Sequence, residues 1–255
     1  MEVMDLYKKT QSELYDFVLN FVQSYSDHFI IKTDETKKFI LVTPKTNLYP
    51  VLVSHLDIYN EINKPDRIEL VKEDNLNVYE GYLEDTRTLL GGDDRNGVWT
   101  MLTLMENNHN IGYLFTTDEE CGCIGVHYVL DNGILSSIEE NITYFLQIDR
   151  RGISDLAYYI MDNGLKTHQN LKFQSKLEML EDYSLTKGSS TDIKHICKKL
   201  GICGINISAG YYNEHESQEY TDVNYLLNLP KTIEKIINLL GNERYLITEN
   251  GDNYA

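Results

Sequence analysis

Residues 89–120 read LLGGDDRNGVWTMLTLMENNHNIGYLFTTDEE, and the order of elements in that stretch decides the fold. Leu89-Leu-Gly-Gly leads into Asp93-Asp94, and 95–106 reads as a helix. The next run, 112–116, is apolar and of strand length, and it is followed by Asp118, Glu119 and Glu120. The alternation continues outward. Toward the C-terminus, 123–130 reads as a helix, 143–148 as a buried strand, and 157–161 and 202–207 as further strands. Helices are expected at 191–200 and 223–240, with Pro230 kinking or restarting the second. Toward the N-terminus, strand-like runs at 29–32, 39–43 and 51–54 follow an amphipathic helix ending near Tyr25. That helix is set by Leu6, Leu14, Phe17, Val18, Phe21 and Val22. Apolar strands alternating with helices predict an α/β fold: one three-layer domain, a mostly parallel central sheet with helices on both faces. It is expected to span 1–245, with 246–255 a polar, flexible tail.

Composition bounds the function. In 255 residues, 23 Lys and Arg stand against 40 Asp and Glu, a net charge of −17. That charge repels phosphate backbones, and no basic stripe reverses it locally, so nucleic acid is not an expected partner. No apolar run approaches a membrane span, and the first residues lack a signal peptide's apolar stretch. Four cysteines do not make a disulfide framework, which points to a reduced, cytoplasmic protein.

Ligands of open α/β sheets bind beyond the carboxyl ends of the strands. Nearly every strand-like run here ends in a metal-capable residue. The run at 51–54 ends in His55-Leu56-Asp57, and 89–92 in Asp93-Asp94. The run at 112–116 leads to Glu119-Glu120, and 143–148 to Asp149. After the last strand come Tyr211-Tyr212-Asn213-Glu214 and His215. Such N/O side chains suit borderline divalent ions, and a carboxylate can bridge two of them. Taken singly, each fragment has an ordinary structural reading. Asp93-Asp94 is a helix cap with favourable charge at the dipole, Glu119-Glu120 the same for the next helix, and Asp149 turn chemistry. Their joint occurrence is what argues for a site.

Taken together, Ser54-His-Leu-Asp57, Leu90-Gly-Gly-Asp-Asp-Arg-Asn-Gly97, Thr117-Asp-Glu-Glu-Cys-Gly122, Ile148-Asp149 and Asn213-Glu-His-Glu216 resemble a known family. It is the co-catalytic dinuclear zinc exopeptidases, which include peptidase T, glutamyl aminopeptidases and bacterial leucyl aminopeptidases. The stretches occur in the family's order. The resemblance implies a zinc-exopeptidase-like fold and two divalent ions, with zinc expected. It gives His55 and Asp149 to one ion, Glu120 and His215 to the other, and Asp93 to both. Asp57 would orient the His55 imidazole, and Glu119 would be the general base acting on a metal-bridging water. The implied activity is hydrolysis of the N-terminal residue of short peptides or amino-acid amides.

Asp149 and His215 lie only 66 positions apart, too few for the lid or dimerisation domain that many relatives insert there. A carboxypeptidase or N-acyl amino acid deacylase on the same scaffold, and a non-catalytic metal- or peptide-binding protein, remain alternative readings. Asp192 reads either as a residue lining the site or as a helix cap. The polar stretch between Asp57 and Thr88 has β-like patches that suit flap-like strands, with no function assigned to it. Cys121 and Cys123 read as packing residues beside a complete ligand set. His28, His109, His127, His168 and His195 read as surface or core residues, and Tyr211 and Tyr212 as candidate lining of the cleft. Side-chain preference and oligomeric state are not legible.

Overall fold

The computed structural model describes residues 2–73 and 75–249. In chain order the elements are α1 (Met4–Tyr7), α2 (Gln11–Gln23), β1 (Phe29–Thr33), β2 (Phe39–Pro44), β3 (Tyr49–His55), β4 (Arg67–Glu73), β5 (Leu76–Leu83) and β6 (Thr86–Thr88). Then follow α3 (Gly92–Met105), β7 (Gly112–Thr116), α4 (Ile124–Asp131), β8 (Ile142–Arg150), β9 (Asp155–Tyr158), α5 (Leu171–Leu177) and β10 (Ser184–Lys187). The chain closes with α6 (Asp192–Leu200), β11 (Gly204–Ser208), β12 (Tyr211–Tyr212), β13 (Tyr220–Asp222) and α7 (Val223–Leu240).

Strands that are apolar at every position must be covered on both sides, and the alternation shows how. Ile40 and Val42, Leu52, and Tyr113 and Phe115 point into one core, shared with α1, α2, α3, α5 and α7. Phe39 and Leu41, Val51 and Val53, and Leu114 point into the other, under α4 and α6. The main sheet runs β1-β2-β7-β3-β8-β11-β9-β10. Its centre is parallel: β3 pairs with β7 and β8, and β8 with β11. The antiparallel pairings β1–β2, β2–β7 and β9–β11 lie toward the edges.

The parallel centre delivers its strand ends to one rim. His55 lies beside Thr116, and Val53 beside Gln147, so His55 and Asp149 leave the sheet side by side. The polar stretch 58–88 holds strands at its β-like patches. Its strands β4, β5 and β6 join β12 and β13 in a second, antiparallel sheet, order β12-β13-β5-β4, with β6 on β5. This sheet carries the segment around His215.

Three local expectations change. The first helix is two, because Thr10 starts a new one with a capping box: its hydroxyl accepts from Glu13 N, and Glu13 accepts from Thr10 N at 2.9 Å. Helix α7 runs unbroken through Pro230. An interior proline costs about 3 kcal/mol, but Leu226, Leu229, Ile233, Ile236 and Leu240 are all fully buried along that helix, each stabilising by about 1.5–3 kcal/mol. Residues 246–249, assigned from sequence to a flexible tail, are hydrogen bonded instead. Ile247 N donates to Gly201 O at 2.8 Å, Thr248 N to Gln169 O at 3.0 Å, and Asn170 Nδ2 to Leu246 O at 3.0 Å. The rest of that expected tail, 250–255, lies outside the described residues. No helix among the described residues is long and apolar enough to cross a membrane.

Candidate metal centre

At the rim, the donors expected from sequence converge. His55 Nε2 faces Asp93 Oδ1 at 3.0 Å and Asp149 Oδ1 at 3.7 Å. His215 Nε2 faces Glu120 Oε1 at 2.7 Å and Asp93 Oδ2 at 3.4 Å. Asp93 stands between the two imidazoles and turns one oxygen to each. Asp57 lies behind His55, with Oδ1 at 3.3 Å from Nδ1. The same carboxylate accepts Glu119 N at 3.0 Å and Glu120 N at 2.9 Å, so it ties β3's end to the Glu119-Glu120 turn. Asp93, Glu119, Glu120, Asp149, Tyr211, Glu214 and His215 line a cavity of about 210 Å³, with Arg150, Arg151, Tyr159, Asn206 and residues 189–191 completing it.

The polar environment fits cations. Asp57, Asp93, Asp94, Asp149, Glu119, Glu120 and Asp192 crowd two imidazoles and the buried Arg95 guanidinium. Buried carboxylates without a balancing charge cost several kcal/mol each. Burial and the neighbouring carboxylates raise Glu119, Asp149, Asp94 and Asp192 above the usual carboxylate range. Burial would lower His55, yet its contacts with Asp149, Asp57 and Asp93 push it well above an ordinary histidine. Contacts with Asp93 and Glu120 raise His215 to about 10. Both His55 nitrogens face carboxylates, whereas a neutral imidazole donates from one only. A cation at Nε2 leaves Nδ1–H for Asp57, the arrangement metal-bound histidines use. One ligand atom from each of His55, Asp93 and Glu120 lies within 4.8 Å of the others, as does one from each of His55, Asp94 and Asp149.

Asp94 has a different place from Asp93. It accepts from the Ser54 hydroxyl, from His55 N at 3.1 Å and from Gly97 N at 3.1 Å. The helix-cap reading therefore suits Asp94, while Asp93 faces the cavity. The Asp93–Asp94 peptide is cis. Gly97 has no alternative: a Cβ there would lie 2.2 Å from Ile148 O. Asp192 is not a cap. Thr191 holds that position, and Asp192 is fully buried against the Thr116 hydroxyl. Tyr211 lines the cavity and donates to Asp149 Oδ1 at 3.2 Å, whereas Tyr212 stacks on Tyr220.

Among the supporting residues, Arg95 lies within the Leu90–Gly97 stretch without a role of its own there, and Glu219, Gln147, Asn206 and Tyr59 carry no sequence signature. Glu219, 1% exposed, accepts three backbone N–H groups: Leu90 at 2.9 Å, Gly91 at 2.8 Å and Asp93 at 3.2 Å. It holds the loop that presents Asp93. Arg95 donates to Leu56 O and Asp57 O, both at 2.8 Å, holding the segment after His55. Gln147 and Thr191 each donate to Asp149 Oδ2 at 2.8 Å, and Asn206 brackets the Asp149 backbone. Tyr59 stacks on His215, ring centroids 4.4 Å apart.

No family model matches this sequence, and no curated protein matches it either. Solved structures do match. Aminopeptidase PepT from Bacillus cereus is 13% identical, with a TM-score of 0.66 over 93% of this chain and 96% of that one. A tripeptidase from Staphylococcus aureus is also 13% identical, with a TM-score of 0.68 over the same shares. A glutaminyl cyclase from Porphyromonas gingivalis is 16% identical, with a TM-score of 0.53 over 88% of this chain and 87% of that one. This chain shares its fold with these three structures. The fold by itself does not select a reaction, since the cyclase shares it.

Proposed function

We propose that this chain is a di-zinc metallo-aminopeptidase that removes the N-terminal residue of short peptides. One observation carries the reading: Asp93 divides its oxygens between His55 Nε2 at 3.0 Å and His215 Nε2 at 3.4 Å. A carboxylate shared by two imidazoles, each with a further carboxylate of its own, is a donor set for a pair of ions. His55, Asp149 and Asp93 would hold one, and His215, Glu120 and Asp93 the other. Bound there, the ions supply an acidified water and a polarised scissile carbonyl.

The chain's own groups do the rest. Glu119 accepts the proton of the attacking water on its carboxylate and passes it to the leaving amine. Asp57 fixes the His55 ring, and its hydrogen bonds to Glu119 N and Glu120 N fix the turn that carries the base. Acidic side chains dominate the cavity wall, which favours a substrate with a free amine. A carboxypeptidase or deacylase needs a cation for a substrate carboxylate. Both guanidiniums at the wall are already paired, Arg150 with Asp155 and Arg151 with Glu214, each at 2.9 Å.

A panel of free-amine and N-blocked peptides, run beside metal analysis, tests the proposal. About two divalent ions per chain and activity only on free amines are expected. Fewer than about one ion after zinc or cobalt loading removes the hydrolase reading. Equal rates on blocked peptides remove the aminopeptidase.

A further inference from the structure

Behind Glu119 lie two buried groups, Cys123 and Asp192, that have no part in the chemistry above. The Cys123 thiol donates to Glu119 Oε1 at 3.6 Å. One ligand atom from each of Glu119, Cys123 and Asp192 lies within 4.8 Å of the others. Cys123 is buried, and Asp192 is fully so. Asp192 Oδ2 takes the Thr116 hydroxyl, while Oδ1 is buried with no hydrogen-bond partner. An unsatisfied carboxylate oxygen in the interior costs free energy of its own, and here it belongs to a thiol-and-carboxylate cluster.

We propose that Glu119, Cys123 and Asp192 form an additional, inhibitory site for a zinc-class cation, which occupies Glu119 and removes it from proton transfer. The inhibitory consequence rests on the role given to Glu119 above; the site itself does not. A thiolate with two carboxylates selects Zn²⁺ or Co²⁺ over Mg²⁺ and Ca²⁺, which take oxygen alone. Ligands around 2.0–2.3 Å from a tetrahedral ion stand roughly 3.3–3.8 Å from one another, so the cluster needs only a small closure. On loading, the S–H bond breaks, an S–metal bond forms, and the proton leaves to solvent. Three anionic ligands then face a charge of +2, and the orphaned Asp192 oxygen gains a partner.

Titration of Co²⁺ into metal-stripped protein tests this, read by the near-ultraviolet cobalt–thiolate charge-transfer band together with peptidase rate. The band is expected to grow after the main centre has filled. The rate should fall with it, toward the ~10²–10⁴-fold loss typical of a missing proton carrier. Cys123→Ser and Cys123→Ala should lose both the band and the inhibition, each normalised to its own rate before excess metal. Cys121→Ser should keep the band, because that thiol is exposed. Absence of the band, a band that survives both Cys123 variants, or a band that grows while the rate holds would overturn the proposal. Failure of the main centre reads differently: uptake by the imidazole sites disappears while the thiolate band still reports on Cys123.

Discussion

Glu119 and Glu120 are neighbours, and in a regular strand they would point to opposite faces. Both nevertheless line the cavity, because the chain turns between them and β7. Asp118 has φ +56°, and its side chain is pinned by Gln11 Nε2 at 2.9 Å and Lys38 Nζ at 2.6 Å. The two glutamates can therefore be separated by experiment. Glu119→Gln keeps shape but cannot take a proton, so the variant should fold and retain its metal. Its rate should drop by ~10²–10⁴-fold. Glu120→Gln should instead weaken one metal site, with added zinc restoring part of the rate at levels below those that fill the inhibitory site. Asp93→Ala should impair both sites in a metal titration, whereas His55→Ala or His215→Ala should each impair mainly one. Equal stoichiometry for Asp93→Ala and the parent would take Asp93 out of the shared position. Glu219→Ala tests the loop clamp. Burial raises the Glu219 pKa to about 7, so its bonds carry the ordinary value of about 0.5–1.5 kcal/mol each. Losing three should destabilise by roughly 1.5–4.5 kcal/mol in urea unfolding. Metal affinity should fall as well, because Asp93 loses its support.

The segment after Tyr245 acts as a strap. It bridges the turn before β11 and the turn before α5 through the bonds of Leu246, Ile247 and Thr248. Truncation after Tyr245 removes several bonds worth roughly 0.5–1.5 kcal/mol each, which should lower Tm by about 5–10 °C in calorimetry. An unchanged Tm would show that the strap contributes nothing. The strap was illegible because its ordering comes from distant backbone groups rather than from its own polar composition. Strands β3, β7 and β8 were legible for the opposite reason, since two-sided burial demands apolar residues throughout. Strands β12 and β13 hold two and three residues with mixed burial, too short for a period to show. The same division runs through the candidate site. His55, Asp93, Glu119, Glu120 and Asp149 stand beyond apolar runs and could be picked out. Arg95, Gln147, Asn206 and Glu219 support them as single polar residues, distinguished only by what tertiary packing brings within reach.

Across the molecule, an acidic excess of 17 charges and a buried histidine set the response to solution conditions. Self-repulsion among the carboxylates should ease with salt, so Tm should rise as ionic strength passes from low to physiological values. His168 supplies a pH term away from the candidate centre. Burial, with Lys166 adding to it, lowers its pKa from 6.5 to about 4. The unfolded chain therefore binds this proton first as pH falls. The stability it protects is complete above pH 6.5 and is lost progressively toward pH 4, roughly 3 kcal/mol in all. His168→Phe should flatten the stability profile across that window, and an unaltered slope would refute the assignment. The order of the main sheet has a further consequence, for synthesis. Strand β11 lies between β8 and β9, although it is translated after both. A chain emerging from the ribosome must keep that gap open, with unpaired strand edges that invite chaperones or aggregation. His215 follows β11, so a chain released early bears four of the five candidate metal donors and no cage to close around them. Prematurely terminated products should therefore bind no pair of ions.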